Sequence, residues 1–254
     1  MRKSLLSLAA AALALASASA SADFIPFTVN EGVVPGTAAH SFVADKINGG
    51  YTETLGITGP GTFSASAVGT LTGYYTNNGS TAVPAYMGGF GNYSVYALFV
   101  ASGAVTGPNT FAGTAGSLQI WVDPNQDDTF NNSSFTSFAT VGNQGEDLLI
   151  GTSNFSYGTG NLSGPPGAFN IYFEQFTLTG FGASYWSGLN TLQFLLQTNG
   201  DIDQVTPNPS TNPPPYTLTG DFSANFTVPE PGSVLLVGAG LLGLGFASRR
   251  RQGK

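Results

Sequence analysis

Between residues 216 and 228 the chain alternates: even positions carry Tyr216, Leu218, Gly220, Phe222, Ala224, Phe226 and Val228, and odd positions carry Thr217, Thr219, Asp221, Ser223, Asn225 and Thr227. Successive side chains of an extended strand face opposite sides, so this period of two predicts one long strand with an apolar face and a wet face. Residues 63–73 repeat the pattern with small residues on the apolar side, and Leu192, Phe194 and Leu196 alternate with Thr191, Gln193 and Gln197. Phe169, Ile171 and Phe173 are in phase, but Phe176 and Leu178 have slipped by one, which predicts a bulge at Glu174 and Gln175. Residues 93–100 are apolar on both faces, as in a central strand. Further strands are expected at 24–29, 118–122 and 148–155. No stretch between the two ends shows helical spacing over three turns. Many strands separated by Gly, Asn and Ser predict an all-β domain, an antiparallel β-sandwich or jelly roll. The proline-rich stretch 206–215 is expected to be a surface loop inside that domain, because the strand after it is too short to fold alone. Thr-Leu-Thr-Gly recurs at 70, 177 and 217 with unequal spacing, which argues against a repeat architecture.

Both ends break the period of two. Arg2 and Lys3 precede an apolar run at 5–16 that is too short to span a membrane, and small residues follow through 17–22. This is the layout of a secretory signal peptide, which delivers the chain to the secretion translocon. Ala18-Ser19-Ala20 and Ala20-Ser21-Ala22 both satisfy the small-x-small rule; cleavage after Ala22 is favoured and cleavage after Ala20 is the alternative. At the other end Val228, Pro229, Glu230 and Pro231 form a helix-hostile break, residues 232–247 carry no charge, and Arg249, Arg250 and Arg251 follow. The two prolines hold the break extended and open to a protease. The apolar segment is 16 residues long against the usual ~20, so it is expected to be a short transmembrane helix. Its arginines stay cytoplasmic and place everything before Val228 outside. Residues 238–243 spell a dinucleotide-binding fingerprint but lack the βαβ unit it requires. Three parts result: a signal peptide at 1–22, an exported β-rich domain at 23–227 and a sorting signal at 228–254.

A VPEP motif, a short apolar helix and a basic tail, in that order at the C-terminus, resemble the PEP-CTERM sorting signal of Gram-negative bacteria. The resemblance implies recognition by a membrane-embedded exosortase and cleavage near the Pro-Glu-Pro. It also implies an intermediate anchored in the inner membrane, delivery to the cell surface or extracellular matrix, and an association with exopolysaccharide in biofilm- or floc-forming cells. Phe24-Ile25-Pro26-Phe27-Thr28-Val29-Asn30-Glu31, the segment 44–53 and the later Asp-Pro-Asn turn look like the flocculation-associated members of this group, which implies a non-catalytic exoprotein.

Charge sharpens the picture once the ends are set apart. Residues 23–230 hold all fourteen acidic residues and, of the lysines and arginines, only Lys46, giving a net charge of −13 against −7 for the whole chain. Nucleic-acid binding is excluded, because it needs clustered Lys and Arg to displace counterions. Without cysteine the fold must be held by its core or by bound metal. The 19 Phe, 10 Tyr and 2 Trp supply enough burial for one sizeable core.

Catalytic parts are few. His40 is the single histidine, so thiol catalysis, histidine-rich zinc sites and most Ser-His arrangements lack components. Two carboxylates suffice for a glycosidase, and Glu174 with Asp147 or Asp128 is the pair to consider. Asp123, Asn125 and Asp127 reproduce the first three oxygen ligands of a calcium loop, directly after an apolar strand. The match then stops, with Asp128 where an EF-hand needs Gly and Ser134 where it needs Glu, so a plain polar turn competes with a calcium site. Asp201 and Asp203 form a weaker second pair. Trp121, Trp186 and the tyrosines, with abundant Asn and Gln, suit a carbohydrate-binding surface if their rings are exposed. The expectation is an exported, acidic, non-enzymatic matrix protein; a carbohydrate-binding module and a polysaccharide-acting glycosidase are the alternatives.

Overall fold

The computed structural model describes residues 24–88, 92–163, 167–189, 194–207 and 215–227. The residues expected to form a signal peptide, including Ala20 and Ala22, and the sorting signal from Val228 onward lie outside them, as does most of the proline-rich stretch.

The alternating segments form long antiparallel strands. β1 (Phe27–Asn30) and β2 (Ser41–Ala44) come first, and β3 (Lys46–Gly59) begins a meander. It pairs with β4 (Thr62–Thr76), which carries the short β5 (Thr81–Val83) on one end and pairs with β6 (Ser94–Gly107); β6 in turn pairs with β7 (Thr110–Asp123). The chain then leaves the sheet for residues 124–147, an excursion that holds the hairpin of β8 (Thr129–Asn131) and β9 (Thr140–Gly142). It returns as β10 (Leu148–Ser153) and β11 (Phe155–Asn161), two halves of one strand interrupted at Asn154, both paired with β7 and with β12 (Gly167–Leu178). After a helix α1 (Gly180–Tyr185) and β13 (Trp186–Ser187) come β14 (Phe194–Ile202), β15 (Gln204–Pro207) and β16 (Tyr216–Thr227). β14 pairs with β12 and β16, and β16 pairs with β3. The ladder therefore closes. The chain forms the expected antiparallel all-β ectodomain, its two layers continuous along both sides through the closed path, with only the short β5 and β15 left as edges among the described residues.

Register explains the finer expectations. The β12–β14 ladder shifts between Phe173 and Phe176, and Gln175 has a left-handed φ of 53°, so the bulge sits where the slipped phase placed it. Its effect is to bury both Phe173 and Phe176. β6 lies between β4 and β7, with Val95 and Phe99 turned inward and Tyr96 and Leu98 covered on the outer side by Val68, Ala139, Trp121 and Phe138. Two expectations are modified. Asn225 and Thr227 are buried rather than wet, because the chain start lies along this end of β16, where the Ile25 N–H donates to the Phe226 carbonyl at 3.0 Å. Thr206 and Pro207, expected in a loop, belong to β15, an edge strand where a proline removes no ladder hydrogen bond that the sheet needs.

One end of the barrel is plugged by the small sheet of β1, β2 and β13 together with α1. Trp186 is fully buried there, its ring 5.7 Å from both Phe27 and Phe226. A polar chain threads the plug: Trp186 Nε1 donates to the Tyr74 hydroxyl, which lies 3.0 Å from that of Tyr185, itself 2.7 Å from that of Tyr93. The Tyr93 hydroxyl donates to the fully buried Glu31, whose carboxylate also accepts the backbone N–H of Tyr86 and faces His40 Nδ1 at 2.5 Å. The single histidine is thus a structural partner. Thr179 caps α1 by accepting from Gly182 N, and a Cβ at Gly182 would lie 1.8 Å from the Ile150 carbonyl oxygen, so the helix can sit on β10 only with glycine there. Trp186→Ala should cost ~3–5 kcal/mol by leaving a cavity at the plug, read as a lower urea midpoint with an unchanged slope; an unaltered midpoint would show that the plug carries no stability.

Candidate functional site

The excursion at 124–147 folds back on the outside of the barrel. Asn132 fastens it: its Nδ2 donates to the carbonyls of Ser66 (2.9 Å) and Thr52 (3.2 Å), and its own carbonyl accepts the Thr54 hydroxyl at 2.6 Å. Phe135 packs so closely on β3 that a Cβ at Gly56 would meet its ring at 2.6 Å. Between β8 and the outer faces of β3 and β4 this leaves an open groove of about 690 Å³. Period two turns Thr52, Thr70, Thr72 and Thr217 outward into it, Asn131 and Asn132 supply amides, and the ring of Phe130 stands 40% exposed at its edge. Among the described residues no carboxylate lines it.

Behind the groove lies an acidic cluster. The carboxylates of Asp123, Asp128 and Asp147 lie within 4.8 Å of one another, and Asp123, Asp127 and Glu146 form an overlapping group. Asp123 is buried at the end of β7 and folds its own loop: its Oδ1 accepts the backbone N–H of Asn125 (3.1 Å) and Gln126 (2.6 Å). Both Oδ atoms of Asp128 and Oδ1 of Asp147 are buried without a hydrogen-bond donor. Asp147 Oδ2 accepts the hydroxyl of Tyr96, which in turn accepts from Gln144 Nε2 at 2.9 Å. Burial and the neighbouring carboxylates of Asp147, Asp123 and Asp127 push the Asp128 carboxyl up to about 7; burial likewise raises Asp147. Both carboxyls are thereby shifted towards their protonated forms. An all-oxygen donor set of this kind suits a hard divalent ion such as calcium, not zinc. Cluster and groove are mechanically joined, because the Phe130 ring packs edge-on against Tyr96 at 5.0 Å.

The predicted residues are therefore redistributed. Asp123 and Asp127 do converge, but Asn125 is exposed and contributes its backbone N–H to Asp123. Asp128, the residue that spoils the EF-hand pattern, is brought to the cluster's centre by Asp147, which the sequence carries far downstream; only the β8–β9 hairpin joins them. Asp201 on β14 and Asp203, between β14 and β15, gather with Asp221 on β16. Trp186 is in the plug and Trp121 is half-buried in the outer cluster, so neither offers an open ring; Phe130, Phe155 and Tyr157 do. Glu174 pairs with Phe155, eight residues beyond Asp147 along an almost continuous strand. That is about 26 Å at ~3.3 Å per residue, against the roughly 5–9.5 Å between the carboxylates of a glycosidase.

Residues 227–251 match the PEP-CTERM protein-sorting motif. The motif covers Val228, Pro229, Glu230, Pro231 and Arg249 to Arg251, and it marks the chain as an exported protein sorted by an exosortase. The transmembrane helix expected at 232–247 falls outside the described residues, among which no helix is long and apolar enough to cross a membrane. No curated protein and no solved structure matches the chain.

The cluster predicts a pH profile. The Asp128 carboxyl titrates near its ordinary value when unfolded and near about 7 when folded, so the folded state holds the extra proton between those values. Metal-free protein should therefore lose stability as pH rises from about 4 to about 7, with the penalty complete above that. Calcium should restore the melting temperature above neutrality, and Asp128→Asn should make the profile shallower, leaving the part due to Glu53 and Asp147, and abolish the calcium effect. A calcium response that survives Asp128→Asn would place the ion elsewhere.

Proposed function

We propose that the exported domain is a non-catalytic matrix protein that holds exopolysaccharide in the groove between β8 and the barrel, and so contributes to biofilm or floc formation. The observation that carries this reading is the groove's lining: threonine hydroxyls and asparagine amides in register on a rigid sheet, with one exposed aromatic ring at the edge. Hydroxyl and amide groups exchange hydrogen bonds with sugar hydroxyls, and an aromatic face covers the apolar face of a pyranose. The absence of carboxylates from the groove supports binding without hydrolysis, since glycoside cleavage needs an acid and a second carboxylate across the bond. Calcium at Asp123, Asp128 and Asp147 fixes the excursion that forms one wall. It also neutralises part of a surface that would otherwise repel an acidic polymer. The partners on the way out are the secretion translocon and an exosortase; the matrix polymer is the partner on arrival.

Exported protein titrated with polysaccharide extracted from the producing cells should bind, and chelation should weaken the binding. Phe130→Ala should weaken it about tenfold, ~1.4 kcal/mol, with the fold intact by circular dichroism. Absence of binding with calcium present would overturn the proposal. Release of reducing ends that is lost in Glu174→Gln would favour the glycosidase alternative instead.

A further inference from the structure

Inside the barrel, strands from all around the closed sheet line a chamber of about 150 Å³. It exists because β4, β6 and β7 turn Ala65, Ala67, Gly69, Ala97, Ala101 and Gly113 inward, where larger side chains would fill the space. Among the described residues a single charged side chain, that of Glu53, lines it. Glu53 shares the inward phase of Tyr51 and Leu55 on β3, and its cross-strand neighbours are Leu218 and Ala67. It is half-buried and is among the residues that line the chamber. Among the described residues no donor reaches its carboxylate, and burial alone pushes the carboxyl up to about 7.

Nothing in the exported domain neutralises this group. Lys46 Nζ lies over the ring of Tyr75 at 5.6 Å, and His40 is taken by Glu31. The adjoining wall is negative as well: the Tyr51 hydroxyl donates to the Asp201 carbonyl at 3.1 Å, and Asp201, Asp203 and Asp221 gather their carboxylates beyond it. A void beside an unpaired carboxylate costs folding twice, and one leucine at position 53 would remove both costs. Such a pairing of empty apolar space with an uncompensated charge defines its complement, a molecule with a hydrocarbon body and a positive end.

We propose that the chamber binds a small apolar amine, its ammonium on the Glu53 carboxylate and its hydrocarbon against the alanine-lined wall. A space of this size takes a molecule about as large as benzene. The proposal is independent of the groove and of the polysaccharide reading. Tyr51 is the titratable neighbour on the same strand, with Asp201 and Asp203 beyond it; the other strands add only Tyr157, whose ring stacks on Tyr172 on the outer face.

Benzylamine serves as the probe and toluene as its neutral counterpart, titrated calorimetrically into protein from the extracellular fraction. At about pH 8, with Glu53 ionised, the amine should bind at least about tenfold more tightly than toluene, and this advantage should shrink towards about pH 5.5 as Glu53 takes up its proton. E53Q should keep toluene binding and lose the advantage. Equal affinities in the unmodified protein, no amine binding, or an advantage that persists in E53Q would overturn the proposal. Should E53Q not fold, the pH profile of the unmodified protein decides alone, and an advantage flat across that range refutes the assignment.

Discussion

The pairing of the last strand, β16, with β3, the first strand of the barrel, holds the rest of the structure in place. β16 lies between β14 and β3, and without it the meander would end on two exposed ladders, each a template for aggregation. Because β16 closes the sheet, the interior becomes a chamber rather than a cleft, and the plug of β1, β13 and α1 has a rim to sit on. Closure also fixes which faces are outside. The threonines of β3, β4 and β16 line up on one outer surface only because the registers of three strands agree.

Such a fold manages acidity without bases. The exported domain has no cysteine and, of the lysines and arginines, only Lys46, so buried carboxylates must find other partners. Glu31 finds backbone N–H groups, a tyrosine and the histidine; Asp123 finds the backbone of its own turn. Asp128 and Glu53 find none, and in both the carboxyl is raised. One faces two further carboxylates behind the groove and the other faces empty apolar space. That difference separates a site for a metal ion from a site for an organic cation.

Much of the strand framework was legible because it rests on local rules. Alternation at 216–228 and at 63–73 showed β16 and β4, and the phase slip at Phe176 located the bulge, since a one-residue shift must turn side chains to the other face. Closure was not legible, because pairing partners far apart in the chain leave no trace in periodicity. The acidic site was half legible. Asp123 and Asp127 stood out by spacing, whereas Asp147 joins them through a hairpin whose strands are only three residues long. The groove was invisible for a similar reason: its threonines look like the ordinary wet face of a strand until a loop folds over them. Glu53 stood unmarked in an otherwise inward-facing series, and a charge at an inward position of a barrel strand is the signal that a topology would have made readable.

The sorting signal acts on this closed domain at its closing strand. β16 ends at Thr227, and the matched sorting motif begins at that residue, so in sequence the motif follows the strand that completes the barrel directly. Cleavage must then spare β16 entirely. The intact mass of the form found outside the cell tests this directly. The account predicts a C-terminus between Val228 and Pro231; an end within Tyr216–Thr227 would contradict closure by β16, and an end at Lys254 would contradict processing of the signal.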